Sequence, residues 1–315
     1  MYDKLDRIKG CLVGLAIGDA LGVHHEFKKR KDVVPISTYT DDNPYSIPKG
    51  YWTDDTSMAL CMANSLIEKK EFSATDIMEK FLLWMRKGYM SSTGECFDIG
   101  NTTKHAIMEY WRNPMLGQYR GLTDVMSAGN GSIMRLAPIP LFFNNNVSDA
   151  ISYAESSSRI THGYKDCIDS CRLLSECLYR LINDQPIFNV FYDVDYRRSI
   201  ITIQDQLSPQ VQHIIEGKFF NKTVDEIKSG GGVIETLEAA MWALSTTQSF
   251  EEAVLKAVNL GDDADTVGAV TGQLAGAAYG YNAIPKHLIE GLYSVESLVE
   301  TATSIYRISR EKVES

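Results

Sequence analysis

Two stripes of glycine limit how this 315-residue chain can fold. Gly10, Gly14, Gly18 and Gly22 form the first, and Gly268, Gly272, Gly276 and Gly280 repeat it near the other end. The spacing of four puts each set on one face of a helix. A glycine inside a helix costs roughly 1 kcal/mol against alanine. Four in register therefore need compensation, and close approach of another backbone supplies it. The spacing predicts helices over 4–21 and 266–281, both at the centre of a helical bundle. A membrane dimerisation motif is excluded, because the first segment carries Lys9 and Asp19 and the second is short and contains Gln273.

Helical period continues through most of the remaining chain. Ser73 with Asp76, and Ser249 with Glu252, have the spacing of capping boxes. Helices are expected over 74–87, 102–112, 149–160, 165–183, 233–246 and 250–259, the last closed by Gly261. Thr53 or Asp54 caps a further helix running through Leu66. Ile200–Ile203 is the one strand candidate. The expected fold class is all-α, a single compact helical domain over 1–315, with 185–229 as a variable insertion.

The formal net charge of -10 disfavours nucleic acid and anionic membranes as partners. The basic run Lys28-Lys29-Arg30-Lys31 reads as a solvated loop. Cysteines stand at 11, 61, 96, 167, 171 and 177 without a C-x-x-C pair. Cys167 and Cys171 share a helix face, as small core residues do. The charged N-terminus lacks the order of a signal peptide, and no uncharged apolar run reaches a membrane-spanning length. The expected compartment is a reducing cytoplasm.

Two acidic clusters stand just before helical runs. One is Trp52-Thr53-Asp54-Asp55-Thr56 and the other Gly261-Asp262-Asp263-Ala264-Asp265-Thr266. Each alone reads as a helix start with acidic first-turn residues. Together they also read as a site for hard divalent cations, because clustered carboxylates are costly in a core unless cations neutralise them. Oxygen-only ligands suit Mg²⁺, Mn²⁺ or Ca²⁺ rather than zinc. A D-D-x-x-D motif of the isoprenoid-synthase type is excluded, since Asp54-Asp55 is followed by Thr56, Ser57 and Met58. His24 and His25 read as loop residues without a ligand role. Three further segments stand out: Asp98-Ile99-Gly100-Asn101-Thr102-Thr103, the small-residue turn Gly129-Asn130-Gly131-Ser132, and Ile160-Thr161-His162-Gly163. The small-residue turn exposes backbone N–H groups and suits a phosphate.

In order along the chain, these segments resemble the ADP-ribosylglycohydrolase family. The matching pieces are G-x-x-x-G-x-x-x-G-D-A-L-G with Glu26, W-T-D-D-T, D-I-G-N-T-T, G-N-G-S-I-M-R, I-T-H-G and N-L-G-D-D-A-D-T-V, spanning Gly10 to Gly280. The resemblance implies an all-α fold around a central two-metal cleft. It implies two divalent cations, Mg²⁺ or Mn²⁺, held by Thr53, Asp54, Asp55, Asp263, Asp265 and Thr266. Asp262, where the family often has glycine, stays outside that set. The resemblance also implies Glu26 and Asp98 as catalytic carboxylates and Asn130, Gly131, Ser132 and His162 as substrate-binding residues. The implied activity is hydrolysis of the glycosidic bond between ADP-ribose and an acceptor side chain, arginine first. Its partner would be an ADP-ribosylated protein and its product ADP-ribose. The alternatives are an acceptor such as serine, or a non-catalytic ADP-ribose-binding or immunity protein of the same fold. Gly232 stands where family members often carry an aromatic residue.

Overall fold

The glycine stripes meet each other. In the computed structural model, which describes residues 3–191 and 207–314, the first stripe lies on α1 (Lys4–Gly22). The second lies on α12 (Ala264–Tyr279) and ends at its C-cap, Gly280. The two helices run antiparallel with backbone against backbone. A Cβ added at Gly14 would stand 2.3 Å from the Gly272 carbonyl oxygen, and one at Gly272 would stand 1.9 Å from that of Gly14. Gly10 faces Gly276 and Gly18 faces Gly268 in the same way, while Gly22 faces Ala264. The expected compensation for the glycines is thus present, and both helices are almost wholly buried.

The other helices wrap this pair. They are α2 (Asp54–Lys69), α3 (Ala74–Lys87), α4 (Asn101–Arg112), α5 (Pro138–Phe142), α6 (Val147–Arg159), α7 (Lys165–Ile182), α8 (Ile187–Phe191) and α9 (Pro209–Ile215). After them come α10 (Val233–Ser245), α11 (Phe250–Val258), α13 (Lys286–Gly291) and α14 (Val295–Glu314). No β-strand forms among the described residues. The fold is all-α, as expected. α12 packs further against α10 and α11, and α1 against α14. The Ser73 and Ser249 hydroxyls accept from the amides of Asp76 and Glu252, at 3.3 Å and 3.2 Å. The strand candidate Ile200–Ile203 lies outside the described residues.

One expectation differs. Arg30 in the basic run turns inward. Its Nε donates to the Leu260 carbonyl at 3.1 Å and its Nη2 to the Ser229 hydroxyl at 3.2 Å. It thereby ties the loop after α1 to the segment leading into α12. Among the described residues, no helix is long and apolar enough to cross a membrane. No disulfide forms among the described cysteines.

The seam admits no methyl group. Gly272→Ala is expected to cost about 1–3 kcal/mol or more by forcing the two backbones apart. Gly232→Ala, at φ -78° with ordinary contacts around an added Cβ, should be close to neutral. Urea unfolding of both variants checks the contrast, and equal midpoints would refute it.

Candidate active site

The seam brings the C-terminal end of α1 beside the N-terminus of α12, and the start of α2 joins them. Asp19, deep in α1 and fully buried, caps α2 from outside that helix. Its Oδ1 accepts from the Thr53 amide and hydroxyl, both at 2.9 Å. Its Oδ2 accepts from the Thr56 amide at 3.0 Å and hydroxyl at 2.6 Å. The carboxylate suits the positive end of the helix dipole. Burial nonetheless pushes Asp19 up to about 6, against all four hydrogen bonds. The sequence reading missed this role. Its signal was an acidic residue within a helix whose neighbours are glycine and aliphatic, where a charge needs partners.

Around Asp19 the two acidic clusters converge. Asp19, Asp55 and Asp265 each offer an oxygen within 4.8 Å of the others, as do Glu26, Asp98 and Asp265. The Thr266 hydroxyl donates to Asp55 at 3.3 Å. The Thr53 hydroxyl lies 3.5 Å from Asp54 and 3.4 Å from Asp265. Asp263 accepts from the Asn130 side-chain amide at 2.8 Å, which pins the turn at 130 to the start of α12. Burial drives Asp54, Asp55 and Asp265 well above the usual carboxylate range, and their carboxylate neighbours add to the rise. Asp98 is pushed up to about 7 by burial. Glu26 is pushed up to about 9 by burial and then by Asp98.

Glu26 and Asp98 are linked through one hydroxyl. Tyr45 OH donates toward Glu26 at 2.8 Å and also touches Asp98 Oδ1. The loop carrying Glu26 is held from below. Phe27 donates its amide to the Asp262 carbonyl, and Asp262 donates its own to the Lys28 carbonyl, both at 2.7 Å. Phe27 and Asp262 both take left-handed backbone, at φ 63° and 58°.

These groups floor a cleft of about 520 Å³, within the range of small-molecule sites. Asp54, Asp263, Asp265 and Thr266 reach its surface, while Thr53 and Asp55 lie buried beneath. Asn130, Gly131 and His162 form part of the wall. Ser132 does not reach it. Its side chain is buried beside the Cys171 thiol. Beside this wall, where a Cβ at Gly131 would stand 3.1 Å from Thr103 Oγ1, α4 starts after the N-cap Gly100, which offers no side chain to its first N–H groups, and Gly100, Asn101, Thr102 and Thr103 line the cleft. Gly230 and Gly231 extend the wall next to the turn, the Gly231 carbonyl accepting from the Asn130 amide at 3.1 Å, and Gly232 caps α10 just outside. His24 and His25 bond backbone carbonyls of Asp42, Val34 and Val258, as structural loop residues do.

The floor suits a cation. Glu26 Oε2, Asp55 Oδ2 and Asp265 Oδ1 are buried and have no hydrogen-bond partner among the described residues. Such atoms are costly unless something positive meets them. All donors are oxygen, which fits hard divalent ions.

An all-α protein with a carboxylate-floored cleft is a class to which known proteins correspond over most of this chain. The sequence profile of the ADP-ribosylglycohydrolase family matches residues 1–313, and the chain belongs to that family. It is 40% identical over 310 residues to the ADP-ribosylarginine hydrolase Tri1 of Serratia proteamaculans, covering 98% of this chain and 81% of that protein. It is 28% identical over 285 residues to the ADP-ribosyl-[dinitrogen reductase] glycohydrolase of Rhodospirillum rubrum, covering 89% and 88%. A solved structure named as an ADP-ribosylglycohydrolase-related protein complex superposes with a TM-score of 0.85 at 35% identity, covering 98% of this chain and 99% of that one.

The raised carboxyls hold protons more tightly in the folded chain than in the unfolded one. Between about pH 4, the unfolded value, and about 9, set by Glu26, the folded state binds more protons. Stability therefore falls as pH rises through that window. A divalent cation should oppose the fall by binding the ionised form. Melting temperature against pH, in EDTA and in Mg²⁺ or Mn²⁺, reads this out. Coincident curves would argue against a cation site here.

Proposed function

We propose that this chain is a cation-dependent hydrolase that releases ADP-ribose from an ADP-ribosylated protein, with arginine as the acceptor. The observation carrying this reading is the cluster of unpartnered buried carboxylate oxygens on the floor of a cleft. The same cleft's walls offer backbone N–H groups and a histidine. Family membership supports the reaction class, and the names of relatives at 37–40% identity support arginine.

Thr53, Asp54, Asp55, Asp263, Asp265 and Thr266 would hold two cations, Mg²⁺ or Mn²⁺, with Asp19 orienting the threonines. When bound, the cations supply positive charge that orients ribose hydroxyls and makes water more acidic. The protein's own groups account for the remaining steps. Glu26, which would be ionised once positive charge stands beside it, takes a proton at Oε2 from the attacking water as that oxygen bonds to the anomeric carbon. The bond from that carbon to the guanidinium nitrogen breaks through an oxocarbenium-like state, and the proton passes to the leaving nitrogen. Asp98 accepts from a ribose hydroxyl and, through Tyr45, keeps Glu26 in place. In the turn the Gly129 and Asn130 amides already donate to the Ser127 and Gly231 carbonyls, so the Gly131 N–H and the start of α4 are the donors that suit the diphosphate. Asp262, exposed at the rim, gives the arginine guanidinium an anionic neighbour. A reducing cytoplasm fits cysteines that form no disulfide among the described residues.

Incubation with an ADP-ribosyl-arginine protein tests the reading. ADP-ribose should be released in Mg²⁺ or Mn²⁺, and EDTA should stop it. Asp263→Ala should lose at least about 100-fold in kcat, in line with loss of an electrostatic catalytic group. Glu26→Gln should lose about 100- to 10,000-fold while keeping cation binding. Asp262→Asn should raise KM for the arginine substrate with little change in kcat. Release undiminished by EDTA, or confined to ADP-ribosyl-serine, would overturn the corresponding part.

A further inference from the structure

Behind the cleft wall, a guanidinium is buried without a carboxylate partner among the described residues. Arg135 is 1% exposed, and its guanidinium sits over the Phe81 ring at 4.7 Å. Nη1 donates to the Gly131 carbonyl at 2.6 Å, and Nη2 donates to the Thr161 hydroxyl at 2.7 Å. The Thr161 hydroxyl in turn lies 2.8 Å from His162 Nδ1. The proposed reaction has no direct use for Arg135 or Thr161.

The direction of this chain follows from its first member. A guanidinium only donates. Thr161 therefore accepts from Arg135; its oxygen could accept a second time, but His162 Nδ1 is the one acceptor beside its own proton among the described residues, so the hydroxyl donates to Nδ1. A ring nitrogen that accepts carries no hydrogen, so in the neutral ring the hydrogen sits on Nε2. That nitrogen has no hydrogen-bond partner among the described residues and is not a sealed atom. It lies at the small-residue turn of the cleft wall. A Cβ added at Gly131 would stand 3.1 Å from Nε2 and 2.7 Å from Cε1. Glycine at 131 keeps the ring edge uncovered, and Arg135 holds that glycine's carbonyl and the histidine's partner at once.

We infer that Arg135 and Thr161 are positioning residues that fix His162 as its Nε2–H tautomer, so that the cleft wall presents a neutral N–H donor to an acceptor oxygen of the ADP-ribosyl group. This rests on the proposed function for the identity of the ligand, but the tautomer itself does not. Burial, and then the charge of Arg135, hold His162 down to about 3, so the ring meets the ligand as a donor without its own charge. Donors lined up one behind another strengthen the last of the series.

Long-range ¹H–¹⁵N spectra of the ¹⁵N-histidine-labelled full chain, with His162→Gln to assign the signal, read the tautomer at about pH 7. The expected pattern is a bare Nδ1 and a protonated Nε2. Thr161→Val should lose the pure pattern and weaken ADP-ribose binding about 5- to 30-fold. Thr161→Ser, which keeps the hydroxyl, should restore both. A purely structural role for Thr161 predicts no tautomer change in the valine variant. A protonated Nδ1 in the wild-type chain would overturn the inference. So would a valine variant that changes tautomer yet binds ADP-ribose as tightly as before. If the wild-type chain bound no ADP-ribose at all, the proposed function and the ligand half of this inference would fall, while the spectra would still decide the tautomer.

Discussion

The structure depends on two backbones that touch. Along α1 and α12 no side chain separates the main chains, and carbonyl oxygens stand where Cβ atoms would otherwise be. This contact fixes the relative height of the two helices more tightly than interlocking side chains could, because peptide groups have no alternative rotamers. Asp19 sits on one helix and Asp265 on the other. Their separation is therefore set by the register of the seam rather than by loops. Catalytic arrangements benefit from such placement, since a shift of about 1 Å can cost orders of magnitude in rate.

A second constraint is electrostatic and opposes the first. The packing that buries the seam also buries the carboxylates at its end, and burial dominates their behaviour. Hydrogen bonds meet part of the cost. Asp19 receives four, and Asp263 receives one from Asn130. The three partnerless oxygens receive none. The tension is concentrated where a cation would relieve it, so stability given up without an ion would become affinity for one.

Much of this was legible in the sequence because it rests on residues with few alternatives. Glycine every fourth residue announces a close helix contact. The helix starts at Ser73 and Ser249 follow from hydroxyls that bond the amides three residues on. The acidic clusters were readable as types and order, and the structure brings them together. Other features depend on who meets whom across long separations. Asp19 looked like an argument against a membrane helix, and only the arrival of Thr53 and Thr56 gives it a task. Ser132 belonged to a cleft motif, but the turn of the chain sends its side chain to Cys171. Arg30 read as one of four solvated cations until the segment at 229–260 folded over it. The C-terminal helix α14 was not anticipated, although Leu298, Ala302 and Ile305 bury one face at helical spacing.

The pair of backbone bonds between Phe27, Lys28 and Asp262 has a consequence of a different kind. Main-chain bonds are indifferent to side-chain identity, so the residues there can change without loosening the clasp, provided that they tolerate the left-handed geometry at 27 and 262. A change in length is another matter. One residue added or removed between Gly22 and Lys28 would slip the pairing and carry Glu26 off the cleft floor. At Phe27 and Lys28 substitution should therefore leave the clasp intact while an indel breaks it, the reverse of what holds for most surface connections.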